Sequence, residues 1–111
     1  MDTARILIVD DRLSTLQGMS RFIRNSGYEV LEASSGSECL NRIAEQKPDL
    51  ILLNVILPDI DGLEVCRRIR SNPETQDIFV FLLSGVDVET ERQADGLEQG
   101  ADGYIAGCVS N

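Results

Sequence analysis

Residues 48–62 read PDLILLNVILPDIDG, and within them Leu50–Leu53 is an unbroken apolar run. A short apolar run between turn-forming residues fits a strand covered on both faces, as the parallel sheets of α/β proteins require. The run ends on a single polar side chain, Asn54, followed by a loop that contains Pro58, Asp59, Asp61 and Gly62. Open α/β sheets keep their sites at the carboxyl ends of their strands. Asn54 therefore stands where the chemistry of such a fold is expected.

The remaining chain supplies alternating partners for that strand. Ile6–Val9 is a short apolar run ending on Asp10 and Asp11. Ser14 is in place to cap a first helix with an inward stripe of Leu16, Met19 and Ile23, and Gly27 supplies its stop. Tyr28–Ala33 reads as the second strand, and Ser34-Ser35-Gly36 as a turn. Ser37 is the expected cap of a second helix with Leu40, Ile43 and Ala44 inward, closed by Lys47-Pro48. A third helix places Leu63, Cys66 and Ile69 on one face and Arg67, Arg68 and Arg70 outward, and Asn72-Pro73 ends it. Ile78–Leu83 is a second fully apolar run, ending on Ser84-Gly85. Val88–Gln99 predicts a weak fourth helix, since its anchors are few (Val88, Ala94, Leu97) and Gly96 costs about 1 kcal/mol against alanine. Gly103–Ala106 is the fifth strand. Strands alternating with helices predict a doubly wound parallel α/β sheet with right-handed crossovers.

A chain of 111 residues is read as one domain spanning residues 1–111, able to bury roughly two-thirds of its unfolded surface. A net charge of −9 argues against nucleic-acid or anionic-membrane binding, which need a basic face. Cys39, Cys66 and Cys108 are scattered, and the chain has no histidine, so the cysteines read as reduced thiols rather than a disulfide frame or metal site. The first strand begins near Arg5, leaving no room for a signal peptide, and no apolar run approaches membrane-spanning length. A cytoplasmic protein, or the cytoplasmic domain of a larger one, is expected.

Asp10 and Asp11 leave the first strand beside the end of the third. Adjacent carboxylates facing one pocket repel each other unless a cation joins them. Oxygen ligands with open positions suit magnesium, which binds few carboxylates and keeps several waters. The alternative is that Asp10 and Asp11 only cap the first helix.

Three stretches together resemble the receiver domains of two-component response regulators: ILIVDD at 6–11, PDLILLNVILPDIDGLEV at 48–65, and LLSG with GADGYIAG at 82–85 and 100–107. The resemblance covers essentially the whole chain and implies a flavodoxin-like strand order of 2-1-3-4-5. It implies that Asp10 and Asp11 are the acidic pair, with Asp11 a direct metal ligand and Ile56 offering its backbone carbonyl. Ser84 matches the hydroxyl residue that hydrogen-bonds the phosphoryl group, and Tyr104 the aromatic whose rotamer reports the state. The family order also calls for a fifth helix after the last strand, which this chain does not supply, so a longer protein or another subunit is expected to cover that face.

Three matches fail at the centre of the site. Asn54 stands where the family has the aspartate that accepts the phosphoryl group, and Gly107 and Cys108 stand where it has lysine and proline. An amide cannot replace a carboxylate nucleophile, and phosphoryl transfer also needs cations on the transferring oxygens. Lys47, the only lysine, precedes the third strand at the far end of the sheet. Arg12 is the one nearby cation, either paired with Asp10 or Asp11 or solvated on the first helical turn. The expected reading is a receiver that no longer takes phosphate, holds magnesium weakly or not at all, is not an enzyme, and works as a protein-interaction module. The alternative is a phosphate-accepting switch using a deamidated Asn54, or Asp59 or Asp61. A flavin protein on the same architecture is a third reading, disfavoured because Asp10-Asp11 would repel the cofactor's phosphate. Expected partners are a protein surface or an adjacent signalling domain, a second copy of the chain among them, through the fourth helix and fifth strand. That segment carries Asp87, Glu89, Glu91, Asp95, Glu98 and Asp102 against Arg92 and would favour a basic surface.

Overall fold

The computed structural model describes residues 3–84 and 98–106. Their elements are β1 (Arg5–Val9), α1 (Leu13–Asn25), β2 (Glu29–Ala33), α2 (Gly36–Glu45), β3 (Leu50–Asn54), α3 (Gly62–Ser71), β4 (Phe79–Ser84) and β5 (Gly103–Ala106). The five strands form one parallel sheet in the order β2-β1-β3-β4-β5, the order that the resemblance implied. The predicted fourth helix lies outside the described residues except for Glu98 and Gln99, and so do Gly107 and Cys108.

Period-two alternation along the strands sorts the core into two layers. Leu7, Val9, Ile51, Leu53, Val80 and Leu82 face one side and pack with Cys39 and Ile43 of α2 and Val65, Cys66 and Ile69 of α3. Ile6 and Ile8 face the other side with Leu16 of α1, joined by Met19, Ile23, Leu50 and Leu52. Both faces are apolar, which is why the strands read as continuous runs. Among the described residues only α1 covers the second face, and Phe79 and Ile105 on it are 59% and 40% exposed.

Helix starts differ from the sequence reading for identifiable reasons. The cap of α1 is Arg12, not Ser14, and it makes no side-chain cap bond. Instead the Asp10 carboxylate accepts the Arg12 backbone N–H at 2.9 Å, turning the chain into the helix as soon as the strand ends. The cap of α2 is Ser35, not Ser37: its hydroxyl accepts the Glu38 N–H at 3.1 Å. Glu38 reaches back to the Ser34 N–H at 2.6 Å, a variant of the capping box displaced by one residue. The inward stripe of α2 includes Cys39 and leaves Ala44 exposed. Gly27 ends α1 with φ of +100°, a conformation open to glycine at little cost.

Arg70 is not an outward charge. Its guanidinium donates to the carbonyls of Gly100 (2.7 Å), Gln76 (3.1 Å) and Ile78 (2.5 Å) and to Asp102 Oδ2 (2.6 Å). It ties α3 to the entrances of β4 and β5.

Candidate functional site

Register brings the expected site residues to one edge. Val9 pairs with Leu53 across β1 and β3, so Asp10 and Asn54 emerge side by side. Asn54 pairs with Leu83, and Ser84 with Ala106, so Ser84 follows at the next tip. Asp10, Asn54 and Ser84 are all buried, at 4%, 7% and 2% exposure, whereas Asp11 and Ile56 are exposed.

A buried carboxylate needs a counter-charge or a full set of donors. Arg12 supplies both to Asp10. Its Nη2 lies 3.0 Å from Asp10 Oδ2, and its Nε donates to Oδ1 at 3.2 Å, beside the backbone bond to the same oxygen. The extended backbone of Arg12 (φ −88°, ψ 108°) explains the reach, because residues i and i+2 of an extended chain share a side. The Asp10 hydrogen bond raises the guanidinium further above its already high pKa. Of the two alternatives open for Arg12, the structure has the paired one.

The loop after β3 is fixed by contacts that sequence reasoning did not assign. Gly62 donates its N–H to the Val55 carbonyl at 2.7 Å. A Cβ on Gly62 would lie 2.5 Å from the Asn54 carbonyl oxygen and 2.8 Å from Val55 Cα, so only glycine lets α3 start this close to the strand tip. Asp59 accepts the N–H groups of Gly36 (2.8 Å), Ser37 (2.9 Å) and Ile60 (2.8 Å), bolting the loop onto the start of α2. The Ser37 hydroxyl and amide, with the Gly36 amide, hold its carboxyl far below the ordinary carboxylate range. Asp61 caps α3 by accepting the Leu63 N–H at 2.7 Å. A loop aspartate opposite a helix start is the one sequence signal that could have announced the Asp59 contact.

The residue set fits a divalent cation poorly. Arg12 engages both Asp10 oxygens, position 54 contributes an amide, and among the described residues no group of three or more His, Cys, Asp or Glu is gathered for a metal. A hollow of about 460 Å³ lies between α2 and α3, lined by Leu40, Ile43, Lys47, Arg68, Ile69 and Thr75. It is at the opposite end of the sheet and takes no part in this site.

Residues 6–110 match the family model described as the response regulator receiver domain. The chain belongs to the response regulator receiver family. It is similar to the response regulator MprA of Mycolicibacterium vanbaalenii (42% identical over 101 residues, 91% of this chain and 42% of that one). It is equally similar to MprA of Mycobacterium avium (42% over 101 residues, 91% and 43%). The chain thus spans less than half the length of these relatives. Among solved structures it resembles the CheY-like receiver protein of Methanospirillum hungatei (TM-score 0.89, 29% identity, 98% of this chain and 85% of that one). It also resembles the BeF3-activated N-terminal receiver domain of Klebsiella pneumoniae RstA (TM-score 0.84, 28% identity, 94% and 86%).

Within this receiver, the aromatic of the expected switch pair is turned inward: Tyr104 packs on the larger core layer and its hydroxyl oxygen is buried. The acidic surface expected around residues 87–102 can be followed only at its end. Glu98 is exposed there, but Asp102 is not a loose surface charge, since it pairs with Arg70 and accepts the Val80 N–H at 2.8 Å. No helix among the described residues is long and apolar enough to cross a membrane.

Proposed function

We propose that this receiver domain is a phosphorylation-independent interaction module of a two-component signalling protein. The observation that carries the reading is Asn54 at the tip of β3, buried beside Asp10, where the family mounts its attacking carboxylate. An amide has no anionic oxygen to attack phosphorus and cannot form an acyl phosphate. Gly107 in place of the lysine removes the second cation that phosphoryl transfer uses. The two carboxylates of the loop after β3 are committed elsewhere, Asp59 to the first turn of α2 and Asp61 to the cap of α3, which weighs against either as a substitute acceptor. Deamidation of Asn54 is the remaining route to a phosphate-accepting switch.

In this reading the domain is not an enzyme, binds magnesium weakly or not at all, and works in the cytoplasm. It engages a protein partner or an adjacent signalling domain, a second copy included, through the face around β5. Without a phosphoryl group to pull on Ser84, the Tyr104 rotamer is set by packing or by a partner with different affinity for its two positions. Treatment with acetyl phosphate or phosphoramidate and magnesium tests the reading. Unchanged intact mass is the expected result. An acid-labile gain of one phosphoryl group, mapped to the peptide holding residues 54–61, would overturn it, and mapping to position 54 itself, converted to a carboxylate, would identify deamidation as the route.

A further inference from the structure

We propose that Arg12 is a resident cation of the strand-tip pocket, holding the Asp10 carboxylate so that a divalent ion can gain Asp10 as a ligand only by expelling the guanidinium. The inference deepens the reading of this edge as a receiver site that has left phosphate chemistry, and rests on it for the location alone. Its support is geometric. Asp10 is buried, its side chain 5% exposed, while Arg12 is 46% exposed and folds back over it. Both oxygens are taken by the two arms of one fork, and Oδ1 also accepts the Arg12 backbone N–H. A planar guanidinium matches a carboxylate in this bidentate way, which a point charge such as lysine cannot do.

Charge accounting points the same way. A pocket with carboxylates at positions 10, 11 and 54 needs an external cation. Here position 54 is neutral and Arg12 cancels Asp10, which leaves a formal charge of −1 on Asp11, exposed to water. Two cations cannot share the Asp10 oxygens at short range without strong repulsion. Expelling Arg12 would exchange a preorganised intramolecular partner for a hydrated ion that surrenders water reluctantly.

The test is a manganese titration of the full chain without phosphodonor, following free ion by electron paramagnetic resonance, with magnesium as competitor. The native protein is expected to bind with a dissociation constant above about 1 mM. Arg12→Ala and Arg12→Gln are expected to tighten binding about tenfold or more, and Arg12→Lys less, because lysine holds one oxygen rather than two. Unchanged affinity in Arg12→Ala and Arg12→Gln would overturn the proposal. A second readout covers the case in which those variants do not fold. In the native protein the Arg12 Nε–H resonance should lose its hydrogen-bonded shift as diamagnetic magnesium occupies the site, and occupancy with that resonance unmoved would also overturn it. Phosphoryl incorporation by the native chain would defeat the silent-module reading while leaving this cation result intact, so the two failures are separable.

Discussion

Replacing Arg70 by methionine should cost this domain about 2.5–3.5 kcal/mol. The substitution keeps the aliphatic stem and removes a guanidinium that donates four hydrogen bonds. Their worth is unequal. Ile78 is 2% exposed, so its carbonyl would lose a charged donor in a place water reaches poorly, at about 1–2 kcal/mol. The Gly100 carbonyl is partly exposed and its loss is set at about 1 kcal/mol, whereas the Gln76 carbonyl, on an exposed residue, rehydrates at little cost. The ion pair with Asp102, 37% exposed, adds roughly half a kcal/mol, and Asp102 keeps its bond from Val80. A loss of this size is a large part of the ~5–15 kcal/mol of a typical domain. It should lower Tm by about 10–20 °C. Urea unfolding followed by far-ultraviolet circular dichroism, suited to a chain without tryptophan, would measure it, with the m-value unchanged. Arg70→Lys should recover only part, since one ammonium cannot span four acceptors. Arg67→Met, whose arginine is solvent-exposed and pairs with Glu64 on its own helix, should leave Tm near native. If Arg70→Met lost less than about 0.5 kcal/mol, the account of Arg70 as the tie between α3 and the bases of β4 and β5 would be refuted.

Other consequences are open to the same instruments. Gly62→Ala would drive a Cβ into the Asn54 and Val55 backbone and should cost at least about 2–3 kcal/mol, with amide shifts at the β3 tip; a near-native variant would show that the close approach is not real. Gly27→Ala meets nothing within 4 Å but needs a positive φ, so it should cost about 1 kcal/mol, whereas Gly100→Ala, at φ of +104° and 2.6 Å from Arg70 Cγ, should cost more; equal losses at both sites would refute the difference. Asp59 is held below the ordinary carboxylate range, so its contribution is complete above that range, from about pH 5 upward, and is lost as pH falls through and below it. The stability gap between native protein and Asp59→Asn should therefore shrink between pH 7 and pH 3, and a constant gap would contradict the capping role. Burial pushes the Cys39 thiol up to about 12 and raises that of Cys66 as well, so neither should react with a thiol reagent at pH 8 until the chain unfolds.

Much of the fold was written in local pattern. Apolar runs at Leu50–Leu53 and Ile78–Leu83 gave β3 and β4 to within a residue or two, because strands buried on both faces leave no choice of side chain. The tips followed from the same pattern, since Asp10, Asn54 and Ser84 end their runs and parallel register aligns them. What local pattern missed depends on distant partners. Ser35 rather than Ser37 caps α2 because Asp59, far along the chain, already holds the Ser37 amide. Arg70 resembled its exposed neighbours Arg67 and Arg68 until the carbonyls entering β4 and β5 closed around it. Arg12 could be named from sequence but its choice between solvent and Asp10 could not, because that turns on the backbone angle at the helix start.

The amide at position 54 can be interrogated without any phosphodonor. Beryllofluoride bonds to a carboxylate oxygen as a stand-in for a phosphoryl group, and fluorine resonance distinguishes bound from free. With magnesium and excess beryllofluoride, the native chain should show free species only and an unmoved Tyr104 ring. A bound fluoride signal accompanied by shifts at Asn54, Ser84 and Tyr104 would contradict the account.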